Sequence, residues 1–162
     1  MVLGHVAGSV LAARALKLDT RVVVLAGLLP DLVDKSARYV LHVVPFGRLP
    51  SHTLLGLALT TLAVYLLGRI RGDGTALTLA WFVGYAAHLV LDFARTLPLL
   101  WPFVAYEWPD TQTPFDWIFE PIPWSGWLSL ALEGALVVAA VLVEGRRLVR
   151  HARTSRRTAR VG

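Results

Sequence analysis

The sequence predicts an all-α fold: a polytopic membrane helical bundle of about five membrane segments, with an interfacial lid segment rich in tryptophan and proline. Composition is the first reason, because 56% of the 162 residues are hydrophobic, 17% are charged and the mean hydropathy is +0.58. Soluble domains carry roughly 25% charged residues, so the composition lies well outside the usual soluble range, and the high hydrophobic fraction excludes an intrinsically disordered chain. The other two reasons are long charge-free stretches and the placement of lysine and arginine.

The charge-free stretches define the segments. A spanning helix needs about 20 apolar residues, with about 17 as the lower limit. Three stretches reach that length, at about residues 51–68, 75–94 and 125–144. Two shorter stretches, 1–13 and 22–30, are expected to form a hairpin that packs against the three long helices.

The remaining parts of the chain are a lid and a tail. Residues 97–127 hold five of the six tryptophans and six of the nine prolines, which excludes a long regular helix and indicates a lid in the headgroup layer of the outer face. Residues 1–145 are therefore predicted to form one membrane-embedded domain, and residues 146–162 a basic cytoplasmic tail. The tail is expected to retain topology and to attract anionic headgroups, and no nucleic acid is expected.

Lysine and arginine set the predicted orientation. With the N-terminus outside and five alternating segments, 12 of the 16 basic residues lie on the inner side, as the positive-inside rule requires. The prediction is a multi-pass protein of the cell (inner) membrane whose C-terminus is cytoplasmic. No cysteine is present, so any metal must be held by histidine and carboxylate side chains.

The pair His88 and Asp92 is the first candidate metal site. Residues four apart project from one face of a helix, and this spacing suits a shared metal ion. Gly84 lies one turn earlier on the same face and allows another helix to approach closely. The alternative is a buried histidine that hydrogen-bonds within its own helix, although ionisable groups in membrane segments are costly and usually functional.

Three further residues are candidates at the same face. His52 follows Ser51, a predicted N-cap, so the positive end of the helix dipole favours a neutral, metal-binding ring. Asp31 follows Pro30, which is expected to break or restart the helix, and Asp31 is either a ligand or a helix-capping charge. His5 lies in a segment with two nearby glycines, where plain helix packing is the alternative.

The predicted topology brings all five candidates to the outer, extracytoplasmic face. They are His5, Asp31, His52, His88 and Asp92. Three imidazoles and two carboxylates suit a divalent metal, with Zn²⁺ favoured and Mn²⁺ or Fe²⁺ as alternatives. Either one ion keeps an open position, or two ions share a bridging carboxylate, for which Asp92 is the candidate.

The order of these motifs resembles a known family. The motifs Pro-Asp31, Ser-His52-Thr and His88-Leu-Val-Leu-Asp92, preceded by His5, are similar to those of the bacterial and archaeal membrane-bound metal-dependent hydrolases. That group includes the LexA-regulated inner-membrane hydrolases. The resemblance covers roughly residues 1–105 and continues as a hydrophobic pattern to about residue 145.

A more distant likeness concerns the ligands. The same order is similar to the first ligands of the zinc-dependent phospholipases C. This likeness implies one zinc held by Asp31, His52, His88 and Asp92, and a second held by His5 with Asp92. Those phospholipases have a further histidine-rich set downstream, and here no histidine follows His88 until residue 151.

The chemistry expected of such a site is metal-assisted hydrolysis of a phosphoester. The predicted catalytic residues are Asp31, Asp34 and Arg48, and Asp34 is expected to be spare and to orient water as a general base. Four cations of this face either neutralise a phosphate or anchor in the headgroup layer: Lys35, Arg38, Arg48 and Arg95. The interfacial position favours a membrane lipid or a lipid-linked phosphate as substrate.

Two other classes stay open at this point. A metal-ion or small-solute transporter also places histidine and aspartate in helices, but it requires ligands near the bilayer midplane. Glu133 in the last segment is either a buried partner for the site or a sign of conduction. A non-catalytic membrane scaffold uses the same polar residues for helix packing and predicts no stoichiometric metal.

Overall fold

The computed structural model describes residues 2–44, 47–72, 74–92, 97–107 and 124–158. These residues form five α-helices and no strand, which confirms the all-α prediction for this part of the chain. The helices are α1 (Val2–Leu16), α2 (Thr20–Tyr39), α3 (Leu54–Arg71), α4 (Gly74–Leu91) and α5 (Trp124–Thr158).

The helix ends follow from local chemistry. Asp19 caps α2 and accepts a hydrogen bond from the Arg21 backbone N–H at 2.8 Å, while Thr53 caps α3 and accepts from the Gly56 N–H at 2.9 Å. α3 ends at Gly72, whose φ of +86° lies in the left-handed region that glycine adopts without strain. Gly72 therefore terminates α3, and α4 begins at Gly74.

Two predictions about helix boundaries are wrong. Pro30 lies inside α2 and does not end it. A proline removes one N–H donor and its helical bond, and the rest of α2 continues on both sides of that position. Asp31 is therefore an interior helix residue and does not cap a new first turn. The predicted cap Ser51 lies two residues before the actual cap, Thr53, so His52 precedes α3 and does not open it.

The bundle is organised around α4, which packs against α1, α2 and α3. α1 also packs against α2 and α5. The crossing of α2 and α4 is close because two glycines lie there. A Cβ at Gly84 would overlap the Val23 carbonyl oxygen, and a Cβ at Gly27 would lie 3.2 Å from the Gly84 carbonyl oxygen. The predicted close approach of a helix at Gly84 is confirmed.

Two helices are long and apolar enough to cross a membrane, namely α3 and α4. The outer face of α3 consists of exposed apolar side chains, among them Leu59, Leu62, Leu66 and Ile70. Such a continuous apolar face is typical of contact with lipid. α1 is also apolar but shorter. The count of five membrane segments stays a prediction.

The C-terminal helix differs from its expected form. α5 has 35 residues, about 52 Å at 1.5 Å per residue, and runs without interruption across the predicted boundary between residues 145 and 146. That boundary marks a change in composition and not a break in the helix. Of the predicted lid, residues 97–107 form turns without a helix. Residues 108–123 and Arg95 lie outside the described residues.

Candidate metal centre

Three histidines and two aspartates meet at one end of the bundle. His5 lies in the first turn of α1, Asp31 in α2 and His52 just before α3, while His88 and Asp92 lie near and directly after the end of α4. His52 is fully buried, His5, His88 and Asp92 are at most 6% exposed, and Asp31 is half-buried. The fold therefore brings together the five predicted ligands from four separate parts of the chain.

The candidate ligand atoms face one another. His52 Nε2 lies 3.0 Å from His88 Nε2, 3.6 Å from Asp31 Oδ1 and 3.7 Å from Asp92 Oδ2. The other oxygen of Asp92, Oδ1, lies 3.3 Å from His5 Nε2. Asp92 thus spans the gap between His5 and His52, which is the position that a bridging carboxylate needs.

Hydrogen bonds assign the tautomers of the two central histidines. His88 Nδ1 lies 2.6 Å from the Gly27 carbonyl oxygen, and His52 Nδ1 lies 2.7 Å from Asp34 Oδ2. A carbonyl and a carboxylate only accept, so both Nδ1 atoms donate and the Nε2 atoms carry the lone pairs in the neutral rings. Two lone pairs at 3.0 Å repel unless a proton or a metal cation lies between them.

The five residues form two overlapping groups of three. One group is His5, His88 and Asp92, and the other is Asp31, His52 and His88; within each group the ligand atoms lie within 4.8 Å of one another. His88 belongs to both groups, but its Nδ1 is bonded to Gly27. Its Nε2 can therefore hold only one ion at a time.

Asp34 is not spare, contrary to expectation. It is fully buried, and its oxygens accept from the Ser51 N–H at 2.8 and 3.0 Å, from the His52 N–H at 3.1 Å and from His52 Nδ1. The expectation that this carboxylate orients water as a general base is not met by the geometry, because its acceptor sites are occupied by the Ser51–His52 backbone and the His52 ring. Asp34 instead fixes the orientation of a candidate ligand.

The protonation of His52 also differs from expectation. Burial by itself disfavours the charged ring, but the adjacent Asp31 and Asp34 carboxylates outweigh burial and raise the pKa of His52 above its ordinary value. His52 lies just before α3, where the helix dipole favours a neutral ring, but the two carboxylates have the larger effect. In the metal-free protein these carboxylates therefore favour the protonated form of the ring.

Two of the predicted cations lie at the site. Lys35 Nζ is 2.6 Å from Asp31 Oδ2, one helical turn away, and Arg48 Nε is 3.9 Å from Asp92 Oδ2. Arg38 reaches the Val44 carbonyl oxygen at 3.5 Å and lies near the ring of Tyr39. Lys35 and Arg48 thus each lie within 4 Å of the carboxylate of a candidate ligand.

One contributing residue was missed by the sequence interpretation. The buried Tyr85 donates its hydroxyl to the Ser51 carbonyl oxygen at 2.5 Å, so it supports the loop that carries His52. Its position one turn before His88, on the same face of α4, was the available signal. Glu133 in α5, which was expected to be either a buried partner for the site or a sign of conduction, accepts through its Oε1 from the Gly4 N–H at 2.8 Å.

The comparison with known families agrees with the membrane character of the helices. The profile described as YdjM inner membrane protein matches residues 1–155. No curated protein and no solved structure gave a significant match. The family description states a location and no reaction, and the comparisons lend no support to the phospholipase C likeness. Because the profile matches nearly the whole sequence, the chain belongs to the YdjM inner membrane protein family.

Proposed function

We propose that the chain is a membrane-embedded, metal-dependent hydrolase that cleaves a phosphoester of a membrane lipid or a lipid-linked phosphate. One observation carries this proposal: the Nε2 atoms of His52 and His88 face each other at 3.0 Å among carboxylates, while both Nδ1 atoms are already bonded. In metal sites, a histidine ligand typically donates one ring N–H to an acceptor of the protein, and this hydrogen bond orients the other ring nitrogen toward the ion.

The donor set fits a divalent metal. Two or three imidazole nitrogens with one or two carboxylates are the usual surroundings of Zn²⁺, and they also accept Mn²⁺ or Fe²⁺. Asp31, His52 and His88 would hold a first ion, and His5 with Asp92 a second, with Asp92 as the bridge. When bound, the ion supplies Lewis acidity, which polarises a phosphoryl oxygen and lowers the pKa of water toward about 7.

The chain's own side chains supply the remaining requirements. Lys35 and Arg48 lie within 4 Å of the Asp31 and Asp92 carboxylates, where they are positioned to neutralise the phosphate of a substrate. Asp31 is a predicted ligand and is more exposed than the histidines. Asp34 is a positioning residue in this proposal, because it holds the His52 ring and the backbone before α3.

Exposed apolar side chains in the segments after α2 and before residue 107 favour a membrane-resident substrate. Val40, Leu41 and Val43, which follow α2, are 65–71% exposed, and Phe103 is 80% exposed. The segment that contains Phe103 is tied to the start of α3 by a hydrogen bond from the Leu54 N–H to the Leu99 carbonyl oxygen at 2.9 Å. Exposed apolar side chains next to elements that carry a polar site suit the headgroup boundary. The distribution of lysine and arginine supports an extracytoplasmic position for this end of the bundle.

The alternative functions have weaker support. A transporter needs ligands near the bilayer midplane, whereas the candidate ligands cluster at one end of α4. Glu133, which raised the question of conduction, contacts the first turn of α1. A scaffold without metal requires a buried proton between His52 and His88. Without that proton, the lone pairs of the two facing Nε2 atoms repel each other.

The first experiment measures metal content. Detergent-purified protein is compared with His88→Ala and Asp92→Ala by elemental analysis, and His42→Ala, which removes an exposed histidine that belongs to neither group of candidate ligands, is the matched control. We expect one or two ions per chain in the wild-type and control proteins, and a loss in the two site variants. Metal retained by both variants at the wild-type stoichiometry would contradict the proposed site.

The second experiment measures the reaction. Release of phosphate or of a phosphorylated headgroup is followed for a panel of phospholipid and lipid-linked phosphate vesicles. We expect hydrolysis by the wild-type protein that stops on chelation, returns with added Zn²⁺ or Mn²⁺ and is absent in His88→Ala. Stoichiometric metal without any hydrolysis across the panel would favour the transporter.

A further inference from the structure

Glu133 belongs to the only part of the described chain that joins α5 to the candidate metal centre. Of the described helices, α5 packs against α1 alone. Two polar contacts accompany this packing: the Gly4 N–H donates to Glu133 Oε1 at 2.8 Å, and Arg14 pairs with Glu144. The first contact lies next to His5, and the second lies about ten residues further along both helices.

The Gly4 contact acts on the weakest point of a helix. The first four N–H groups of a helix have no acceptor within it, and α1 begins at Val2, so the Gly4 N–H depends on an outside acceptor. Glu133 is that acceptor. An acceptor carboxyl group at a helix N-terminus stabilises the first turn, and here that turn carries His5.

The packing around Gly4 is specific to this contact. A Cβ at Gly4 would lie 2.7 Å from Glu133 Cγ and 3.2 Å from its Oε1. The absence of a side chain on α1 therefore lets Glu133 reach the backbone directly before His5. His5 Nε2 in turn lies 3.3 Å from Asp92 Oδ1, and its ring centroid lies 4.2 Å from that of His88.

We infer that Glu133 is a positioning residue that holds His5 in the metal centre by fixing the first turn of α1. This inference rests on the proposed metal site and assigns α5 a role in it. The His52 and His88 rings are oriented by Asp34 and by the Gly27 carbonyl oxygen, which come from α2. Glu133 therefore acts on the part of the centre that contains His5 and leaves the part formed by Asp31, His52 and His88 in place.

The test uses the full chain in detergent with Co²⁺ or Zn²⁺ alone as the probe. Glu133→Ala removes the acceptor, Glu133→Gln keeps an acceptor oxygen at the same reach, and Glu144→Ala removes the matched contact between α1 and α5. We expect Glu133→Ala to weaken His5-dependent binding by about 10- to 100-fold, and Glu133→Gln and Glu144→Ala to bind nearly as the wild type does.

A double-mutant cycle separates positioning from general stability. If Glu133 acts through His5, adding Glu133→Ala to His5→Ala causes no further loss of affinity, because coupled residues are not additive. Helicity and the unfolding midpoint are recorded for each variant. Glu133→Asp, which keeps the carboxyl group but shortens its reach, replaces Glu133→Ala if the alanine variant does not fold, and it is expected to weaken binding in the same direction.

The outcomes distinguish the two proposals. A wild-type protein that binds no ion contradicts the metal centre itself. If the wild-type protein binds the ion and Glu133→Ala binds it with unchanged affinity, the role of Glu133 is overturned and the metal centre is not. Equal losses in Glu133→Ala and Glu144→Ala, or an undiminished effect in the His5→Ala background, would assign Glu133 to helix packing and also overturn the inference.

Discussion

Glycine has opposite roles at the crossing of α2 with α4 and on the outer surface of α5. At the crossing, a Cβ at Gly84 would lie 2.9 Å from the Ala26 Cβ and would overlap a backbone oxygen. Around Gly134 and Gly145 in α5, no atom of the described residues, apart from the neighbouring backbone of α5 itself, lies within 4 Å of the position a Cβ would take. Glycine is required in the first region and unconstrained by the described neighbours in the second.

The difference shows where the geometry of the candidate site originates. Close approach of the α2 and α4 backbones brings the Gly27 carbonyl oxygen within 2.6 Å of His88 Nδ1. A backbone atom of one helix thereby orients a candidate ligand on another. Among the described helices, α5 packs against α1 alone, and its Glu133 side chain bonds the backbone next to His5. We therefore expect large effects from the crossing and small effects from α5.

The largest effect is expected from Gly84→Ala. The new methyl group meets the backbone of α2, so the helices must separate, and overpacking of this kind costs about 3 kcal/mol of unfolding free energy. Separation also removes the Gly27 contact from His88, and metal affinity is expected to fall by about 100-fold. Denaturant unfolding in detergent micelles and metal titration check both effects.

The matched control for that variant is Gly145→Ala in α5, where the same methyl group meets open space. Its metal affinity is expected to equal that of the wild-type protein. A stable Gly84→Ala protein with wild-type affinity would show that the crossing is not what orients His88.

The second effect concerns Asp34, whose carboxylate holds His52 from α2. Asp34→Asn keeps the size of the side chain but replaces one acceptor oxygen with an amide that donates, so it opposes the donors it faces. We expect metal affinity to fall by about 10- to 100-fold and hydrolysis to fall with it, recovering at high metal concentration. Competition with a chelator measures the affinity. Loss of turnover with unchanged metal affinity would instead restore the general-base role.

The third effect is the dependence of metal binding on pH. Asp31 and Asp34 raise the pKa of His52 above 6.5, so the ion must displace a proton, and affinity is expected to rise with pH by up to about tenfold per unit below that pKa. The stability of the metal-free fold changes with pH in the opposite direction. The raised pKa of His52 stabilises this fold below pH 6.5, and the contribution is lost as the pH rises through the folded-state pKa.

Calorimetry in buffers of different ionisation enthalpy counts the protons released. His42→Ala, which removes an exposed histidine outside both groups of candidate ligands, should leave the count unchanged. Binding without proton release would mean that His52 is neutral in the metal-free protein, against the influence of the two carboxylates.

Much of the fold was predictable, because apolar stretches without charge allow little besides helices. The error in α2 has a clear source. Pro30 removes only one hydrogen bond of that helix, and the local pattern does not reveal whether packing against α4 compensates for it. The cap of α3 was misplaced by two residues for a similar reason: Ser51 and Thr53 are both good N-caps, and the Thr53 hydroxyl is the one that reaches the Gly56 N–H.

The candidate ligands were predictable, whereas their supports were not. His5, Asp31, His52, His88 and Asp92 share residue types and one predicted face, and both are visible in the sequence. The contact of Asp34 with the Ser51 and His52 N–H groups spans 17 or 18 residues, and that of Glu133 with Gly4 spans 129 residues. Such contacts depend on helix rotation and separation, which hydrophobic patterning does not specify.

The smallest effect is expected from Gly134→Ala, one residue after Glu133. Because the new methyl group meets no atom within 4 Å, only the helix propensity changes, and the unfolding free energy is expected to rise by at most about 1 kcal/mol. Metal affinity should not change, since the Glu133 contact with Gly4 is on another side of the helix. Denaturant unfolding and metal titration of Gly84→Ala and Gly134→Ala, measured side by side, give opposite signs if the two regions differ as described. A loss of stability in Gly134→Ala would mean that this face of α5 is covered by a second molecule or by another part of the chain, and the contrast with the α2 crossing would then no longer hold.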